Sequence, residues 1–255
     1  MERRHIRLDG SLNLRDLGGY EVTRRQVVRT GCVFRSDELH ALTDADLEVV
    51  TTLGVKVVFD LRNHDERARR PSRLPPDVEL LERASPSIEG DGRTIEDQII
   101  GGDLPIADDD YFAGVYIRLL DCLGPELSVI LQRAVESPQR PLLFHCAAGK
   151  DRTGIVAAVL LGLLGASDDT ILDDYELTSA HYTPGRLQAM AALMAEHQVT
   201  EDRVRPLLEA RRSVLAAALQ HLHGTYGGYD AFATDQLGLG ADLPARLRAA
   251  LLVPQ

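Results

Sequence analysis

The sequence has few of the residues that mark secreted, metal-bound or membrane-spanning proteins. Its 255 residues include no tryptophan and three cysteines, Cys32, Cys122 and Cys146, which are too few and too far apart for a disulfide framework or a zinc site. No apolar segment of a secretory signal peptide opens the chain. The longest nearly apolar run, residues 154–166, is shorter than the roughly 18 to 20 residues that span a bilayer. We therefore expect no metal, no cofactor, no stable membrane insertion and a cytoplasmic location, with export without a signal peptide left open.

Positive charge is also scarce. Lysine and arginine total 28 against 39 aspartates and glutamates, which gives a net charge of −11. Such an acidic surface argues against nucleic-acid binding and against a polybasic membrane anchor, but it allows a local cationic pocket for an anion. The basic residues are almost all arginine, since Lys56 and Lys150 are the two lysines. The content of 44% hydrophobic and 26% charged residues is typical of globular proteins.

Short apolar strands alternate with helical patterns through the first two thirds of the chain, and the remainder reads as helical. We predict strands over residues 27–28, 32–34, 55–61 and 141–144, and helices over 43–53, 109–123, 127–135 and 154–166. Breaks rich in proline and glycine fall at residues 70–76, 85–92 and 101–105, and none is long enough to be a linker. This order predicts one α/β domain over residues 1–255, with a central, mostly parallel sheet flanked by helices and a helix-rich C-terminal part.

One segment carries the clearest chemical signal: HCAAGKDRTG, residues 145–154. Cys146 follows a predicted buried strand and lies just before a helix, where converging backbone N–H groups and the helix dipole favour a thiolate and bind an anion. Six positions later the planar guanidinium of Arg152 can bind two oxygens of a phosphate. A thiolate beneath a bound phosphate is placed to attack phosphorus. The alternative is that Cys146 is a buried structural thiol.

This segment resembles the phosphate-binding loop of cysteine-dependent protein tyrosine phosphatases, and its Lys-Asp before the arginine resembles a bacterial atypical subgroup. Further blocks match that subgroup: NLRDLGGY at residues 13–20, FRSDEL at 34–39, and DLR at 60–62 followed by Glu66. The resemblance implies a tyrosine phosphatase-like α/β fold. It also implies hydrolysis of phosphotyrosine, with phosphoserine, phosphothreonine and phosphoinositides as further substrates.

The resemblance also implies roles for individual residues. Cys146 is expected to be the nucleophile and Arg152 the phosphate clamp, while Thr153 assists departure of the cysteine and His145 supports it from within the fold. Asp60 and Arg62 are expected to support the site from a neighbouring strand, and Arg15 and Asp16 are expected to pair structurally. The remaining positions assigned to phosphate binding are Ala147, Ala148, Gly149, Lys150, Thr153 and Gly154.

The general acid stays open at this stage. Ordinary members of the family carry an aspartate on a separate Trp-Pro-Asp loop, and this chain has no tryptophan. In the resembling subgroup the aspartate inside the loop, here Asp151, is the proposed acid. The alternatives are Asp60, at the end of a predicted buried strand, and the Asp108–Asp110 run, which otherwise reads as a solvated helix start.

Two further features have two interpretations each. Lys150 either binds a second phosphate or is a solvent-exposed loop charge. The helical stretch over residues 182–208 is either a lid that moves over the pocket or an ordinary surface helix pair.

The sequence thus predicts a metal-independent phosphatase that acts on a phosphoprotein or a phosphoinositide. The alternatives are a non-catalytic phosphate-binding module and arsenate-reductase-like thiol chemistry, which would need Cys32 or Cys122 near Cys146.

Overall fold

A five-stranded sheet, a three-stranded sheet and twelve α-helices form the part of the chain that the computed structural model describes, residues 4–23, 25–82, 94–105 and 108–255. The strands are β1 (Arg15–Asp16), β2 (Glu21–Thr23), β3 (Gln26–Val28), β4 (Val33–Ser36), β5 (Val57–Asp60), β6 (Glu79–Glu82), β7 (Leu142–His145) and β8 (Leu252–Pro254). The helices are α1 (Asp44–Thr52), α2 (His64–Arg69), α3 (Ile95–Gly101), α4 (Asp109–Cys122), α5 (Gly124–Ala134), α6 (Asp151–Leu164), α7 (Asp168–His181), α8 (Thr183–Glu196), α9 (Glu201–Leu208), α10 (Arg212–Tyr226), α11 (Tyr229–Ala231) and α12 (Leu243–Leu251). A π-helical turn, Phe232–Gln236, follows α11.

The larger sheet has the strand order β1-β4-β7-β5-β6. β1 runs antiparallel to β4, and the other neighbours are parallel. Ser36, His145 and Asp60 are register partners across the last positions of β4, β7 and β5. The chain segments that leave these three strands therefore meet at one edge of the sheet, which is where ligand sites form in parallel α/β sheets.

Helices cover both faces of this sheet, and side chains alternate between them along each strand. Val58 and Leu143 pack with Val50 of α1 on one face. Phe59 and Phe144 belong to the larger core on the other face, which includes all but the first turn of α6. The mixed α/β architecture with a mostly parallel, helix-flanked sheet confirms the predicted fold class.

Helix α6 is the central buried helix. Every residue from Arg152 to Leu164 is buried, and from Gly154 onward the helix is apolar all round rather than amphipathic, as expected for a core helix. It begins at Asp151 rather than at the predicted residue 154, because Asp151, Arg152 and Thr153 form its first turn. No helix among the described ranges is long and apolar enough to cross a membrane.

The smaller sheet corrects one expectation. The last third of the chain is predicted to be wholly helical, yet β8 pairs antiparallel with β3, and β3 pairs with β2. The signal was weak because β8 has three residues, including Pro254, directly after a helix of nine. The break expected at residues 85–92 lies outside the described residues.

Candidate active site

Residues 146–150 form a loop between the end of β7 and the start of α6, here called the 146–150 loop. Cys146 is its first residue and is 1% exposed. Lys150 is the N-cap residue of α6, and no side chain caps this N-terminus among the described residues. The first N–H groups of a helix have no partner within the helix, so this end of α6 offers donors and a positive dipole to an anion.

Gly149 is required by the shape of this loop. Its φ is +65°, and a Cβ atom there would lie 2.5 Å from the carbonyl oxygen of Ser36. Both the left-handed backbone and the close approach to β4 exclude a side chain. Glycine at this position therefore lets the loop pack directly against the end of the neighbouring strand.

The loop is held from behind through its backbone carbonyls. Asn13 Nδ2 donates to the oxygens of Ala148 at 3.0 Å and Gly149 at 3.3 Å. An Arg35 terminal nitrogen donates to the Gly149 oxygen at 2.7 Å. Because these bonds hold the carbonyls toward the protein interior, they favour an orientation in which the loop's N–H groups face the other way.

A buried charged network supports these two donors. Asp174 of α7 accepts from Arg15 Nε at 3.0 Å, from Arg35 at 2.5 Å and from the Tyr20 hydroxyl at 2.9 Å. Burial alone would raise the pKa of Asp174, but the two guanidinium groups hold it well below its usual range. The expected pairing of Arg15 with Asp16 is wrong, since Asp16 accepts from the backbone N–H groups of Gly18 and Gly31.

Arg152 lies in the first turn of α6 and is fixed by an acidic partner. Its two terminal nitrogens each donate to one oxygen of Glu66 at 2.7 Å, and one also donates to the Leu61 oxygen at 3.0 Å. Burial disfavours its charge, but its hydrogen bonds to Glu66 and its electrostatic interaction with Cys146 raise the pKa of Arg152. Arg152 Nε and the Thr153 hydroxyl are buried and have no hydrogen-bond partner among the described residues. Both polar atoms are therefore available to a ligand or to the cysteine.

Asp151 is the candidate acid that lies at this loop. Its Oδ1 accepts from the Tyr116 hydroxyl at 2.5 Å and lies 3.5 Å from Lys150 Nζ. The side chain remains 24% exposed and lines the cavity over Cys146. The carboxyl group is therefore both oriented by neighbours and open to a bound molecule.

Lys150 does not match the interpretation as a solvent-exposed charge. Its side chain is 5% exposed, and Nζ donates to the carbonyl oxygen of Leu207 at 2.5 Å. Nζ also lies 5.5 Å from the centre of the Phe112 ring. This lysine thus links the 146–150 loop to the end of α9.

Asp60, Arg62 and His145 form a buried group beneath the loop. Arg62 donates through Nε and a terminal nitrogen to Asp60, at 2.9 and 2.7 Å, and His145 Nε2 lies 3.5 Å from Asp60 Oδ2. Burial opposes ionisation of Asp60, but His145 and Arg62 lower its pKa to about 2. His145 Nδ1 lies 3.1 Å from the Cys146 oxygen. Asp60 is therefore saturated with partners and is poorly suited to donate a proton.

The loop faces a cavity of about 150 Å³. Cys146, Ala147, Ala148, Lys150, Asp151 and Arg152 contribute to its wall, as do Glu66, the apolar side chains of Phe112 and Val115, and Tyr182. Arg186, Leu207 and Leu208 of the predicted lid also line it. At the rim, Arg70 and Arg186 both donate to Oε1 of Glu96. The two ends of the 182–208 stretch thus contribute to the cavity wall. Movement of this stretch stays a prediction.

The other predicted groups lie elsewhere. Asp108 caps the N-terminus of α4 by accepting from Tyr111 N, and Asp109 pairs with Arg211. Cys32 precedes β4 and its carbonyl accepts from Leu142 N, at the opposite end of the sheet from Cys146. Cys122 is exposed at the end of α4. Within the described ranges, no cluster of histidine, cysteine, aspartate or glutamate is arranged to hold a metal ion.

Several residues that build the site were given no role from the sequence. They are Asn13, Arg35, Glu66, Tyr116, Asp174 and Tyr175. Glu66 had a detectable signal, because Asn63 and Glu66 form a capping box at the start of α2. Its second function, holding Arg152, depends on a contact across 86 residues that local spacing does not reveal.

Comparisons with known proteins point to one family. Residues 6–253 match the model of a family described as the tyrosine phosphatase family. A tyrosine-protein phosphatase of Nostoc commune is 32% identical over 82% of this chain and 70% of its own length. The triple specificity protein phosphatase PtpB of Mycobacterium tuberculosis is 31% identical over 96% of this chain and 98% of its own length. A crystal structure of P. aeruginosa TpbA, at 16% identity, covers 74% of this chain and 86% of that one with a TM-score of 0.34, a value too low to support an argument.

These matches confirm the resemblance stated from the loop and its companion blocks, and they confirm the predicted enzyme class, protein-tyrosine-phosphatase. The family match spans nearly the whole chain, so it includes the N-terminal segment and the C-terminal helices as well as the 146–150 loop. The chain belongs to the tyrosine phosphatase family.

Proposed function

We propose that this chain hydrolyses phosphate monoesters, with phosphotyrosine in proteins as the main substrate, through a phosphocysteine intermediate. One observation carries the proposal: Cys146 lies at the wall of a cavity and at the N-terminus of α6, beside the Arg152 guanidinium, and neither the helix end nor Arg152 Nε has a side-chain partner among the residues that the structure describes. A dianionic phosphate placed there meets backbone N–H groups, the helix dipole and Arg152 at once.

In the first step the Cys146 thiolate attacks phosphorus and forms an S–P bond. The bond between phosphorus and the substrate oxygen breaks, and Asp151 gives that oxygen a proton, so that phosphotyrosine releases the neutral tyrosine phenol. Arg152 and the loop stabilise the charge on the three transferred oxygens. Asp151 is favoured over Asp60 because Asp151 lines the cavity, whereas Asp60 is buried among Arg62, Ser72 and His145.

In the second step water attacks phosphorus and the S–P bond breaks. The Asp151 carboxylate accepts the proton from water, which restores the acid for the next cycle. Thr153, whose hydroxyl is buried and free among the described residues, donates a hydrogen bond to the departing thiolate. Inorganic phosphate then leaves, and each step balances without a metal or a redox partner.

The cavity wall suits an aryl phosphate. Phe112, Val115 and Tyr182 present apolar surface above the loop, and such surface binds a phenyl ring through burial and ring contacts. One relative is named for three specificities, which supports tests of phosphoserine, phosphothreonine and phosphoinositide substrates as well. The second-phosphate role of Lys150 requires that its ammonium exchange the Leu207 carbonyl for the ligand.

The alternative of arsenate reduction has less support. It needs a second thiol near Cys146, and Cys32 lies beside the first residue of β7, about 13 Å along the strand from Cys146. Cys122 ends α4, whereas the part of α4 at the cavity is Phe112 and Val115. A non-catalytic binding module would lack the nucleophile or the arginine, and this chain has both.

The test is trapping of the phosphoenzyme. Rapid acid quench with a phosphorus-labelled aryl phosphate is expected to leave label on Cys146 in the native protein and none in Cys146→Ser, which should retain phosphate binding but lose turnover. Cys122→Ser, which removes an exposed thiol, is the control and is expected to behave as the native protein. Turnover by Cys146→Ser would refute the mechanism, and loss of native activity with a chelator would refute metal independence.

A further inference from the structure

Asp151 is held through one of its two carboxyl oxygens. The Tyr116 hydroxyl and the Lys150 ammonium both approach Oδ1, at 2.5 and 3.5 Å. Oδ2 has no hydrogen bond to any residue that the structure describes. Because two donors concentrate negative charge on Oδ1, a proton on this carboxyl group is carried by Oδ2.

The Tyr116 hydroxyl is itself held by a second phenol. The Tyr116 and Tyr175 oxygens lie 2.6 Å apart, and both side chains are 1% exposed. Burial, reinforced by the charge of Asp151, raises the pKa of both phenols above the ordinary value, so both keep their protons over the working pH range. A phenol has one proton, so when Tyr116 donates to the carboxylate, Tyr175 donates to Tyr116.

Three helices fix this chain of hydrogen bonds. Tyr116 lies on α4, Tyr175 on α7 and Asp151 at the start of α6, and α6 packs against both other helices. The two rings meet edge to face, with centroids 5.9 Å apart. A Cβ atom on Gly154 would lie 3.2 Å from the Tyr175 ring, so glycine at the end of the sequence motif makes room for this second phenol.

We propose that Tyr116, backed by Tyr175, is a positioning residue that holds Asp151 Oδ1 so that Oδ2 faces the cavity and carries the transferred proton. The inference rests on the proposed function, in which Asp151 is the general acid. The proton passes from Oδ2 to the leaving oxygen as its bond to phosphorus breaks. It returns to Oδ2 from water as the S–P bond breaks.

The test uses the variant Tyr116→Phe and two aryl phosphates that differ in leaving group. Phenyl phosphate needs a proton on its leaving oxygen, whereas p-nitrophenyl phosphate leaves with little assistance. We expect kcat/KM to fall about tenfold for phenyl phosphate, the effect of one hydrogen bond to a charged group, and much less for p-nitrophenyl phosphate. We also expect the alkaline limb of the phenyl phosphate profile to move to higher pH, because loss of a donor favours the protonated carboxyl group.

Tyr20→Phe is the matched control, since it removes a buried hydroxyl that donates to a different aspartate, Asp174, at 2.9 Å. This variant is expected to change kcat/KM by the same factor for both substrates. If Tyr116→Phe fails to fold, Tyr175→Phe can be used instead, because it removes the phenol that holds Tyr116. We expect this variant also to lose kcat/KM selectively for phenyl phosphate, but by a smaller factor.

The double variant Tyr116→Phe with Asp151→Asn separates positioning from general damage. In the Asp151→Asn background the further effect of Tyr116→Phe on the substrate ratio is expected to vanish. The proposal would be overturned if Tyr116→Phe lowered kcat/KM equally for both substrates. It would also be overturned if Tyr116→Phe still changed the ratio of the two kcat/KM values in the Asp151→Asn background. An Asp151→Asn variant with equal losses on both substrates would overturn it together with the acid assignment, while phosphoenzyme trapping on Cys146 would still stand.

Discussion

The rear and the front of the 146–150 loop are built from different kinds of contact. At the rear, Asn13 and Arg35 bind backbone carbonyls of the loop and are backed by Asp174. At the front, Arg152 binds Glu66 and Lys150 binds the Leu207 carbonyl, and both side chains line the cavity. The rear contacts therefore fix the backbone shape of the loop, while the front contacts orient the charged side chains that line the cavity.

The largest expected effect comes from disrupting the buried ion pairs at the rear of the loop. Asp174→Asn keeps the shape of the side chain but leaves Arg15 and Arg35 without a compensating charge in the interior. Removing one member of a buried ion-pair network costs about 3 to 5 kcal/mol. We expect a loss of this size in the free energy of unfolding, measured by urea denaturation.

Asp173→Asn is the control for that variant. Asp173 is the neighbouring residue on α7, its side chain is 59% exposed, and it pairs with Arg212 at the surface. Exposed pairs contribute about 0 to 1 kcal/mol, so this variant is expected to unfold close to the native midpoint. Similar midpoints for the two variants would mean that the rear network does not stabilise the fold.

The second prediction concerns the contact between the loop and β4. In Gly149→Ala the new methyl group overlaps the Ser36 carbonyl, so the loop must move by a fraction of an ångström or more. Displacements near 1 Å at a reacting site cost about 100-fold in rate. We expect kcat/KM for an aryl phosphate to fall by about that factor.

Gly54→Ala separates backbone strain from steric overlap. Gly54 has a φ of +72°, close to that of Gly149, but a Cβ atom there would meet nothing within 4 Å. We expect this variant to lose about 1 kcal/mol of stability and to keep its activity. A Gly149→Ala enzyme as active as Gly54→Ala would show that the loop tolerates movement.

The sequence predicted the loop better than its supports. Strand β7, the turn and α6 are contiguous, so their apolar pattern and the position of Cys146 and Arg152 are visible locally. The partners of the loop come from residues far away along the chain: Asn13 bonds to Ala148 across 135 residues, and Arg15 to Asp174 across 159. Which arginine meets which aspartate depends on strand order and helix packing, and neither is encoded in spacing.

The third prediction concerns the front. Lys150→Met keeps an unbranched side chain near Phe112 but removes the donor to the Leu207 carbonyl. A hydrogen bond from a charged group contributes enough for about tenfold in a local opening equilibrium. We expect amide hydrogen exchange in α8 and α9 to speed up by about that factor, while β4 and α7 at the rear remain unchanged.

Lys56→Met provides the comparison, because Lys56 is exposed and lies just before β5. Exchange in α8 and α9 is expected to match the native protein in that variant. A bound phosphate analogue should also change exchange in this segment if residues 182–208 move as a lid. If amide hydrogen exchange in α8 and α9 is the same with and without the analogue, and the same in both lysine variants, these two helices are an ordinary surface element and not a lid.

The smallest expected effect is a pH dependence at the end of the rear helix. His181 ends α7 and stacks on His5 with ring centroids 3.8 Å apart. Burial and the neighbouring His5, with Arg15 and Arg7, lower the pKa of His181 to about 4, although Asp174 opposes the shift. The folded state then binds this proton less readily than the unfolded state does, whose histidine pKa is about 6.5. Stability is therefore expected to decrease as the pH falls from about 6.5 toward 4.

The His181 effect is expected to stay below about 1 kcal/mol, because the ring is partly exposed and solvent screens its charge. Between pH 7 and pH 5 the melting temperature is expected to fall less in His181→Gln than in the native protein. His64→Gln alters a side chain that is 86% exposed, and its melting temperature is expected to fall as much as that of the native protein. Asp174 does not contribute between pH 7 and pH 5, because its pKa in the folded state and the unfolded value of about 3.9 both lie below that range. An equal fall in melting temperature for His181→Gln and the native protein would place the acid sensitivity outside this histidine stack, and the contribution of Asp174 to stability would then be lost only below about pH 5, where the unfolded state binds the aspartate proton.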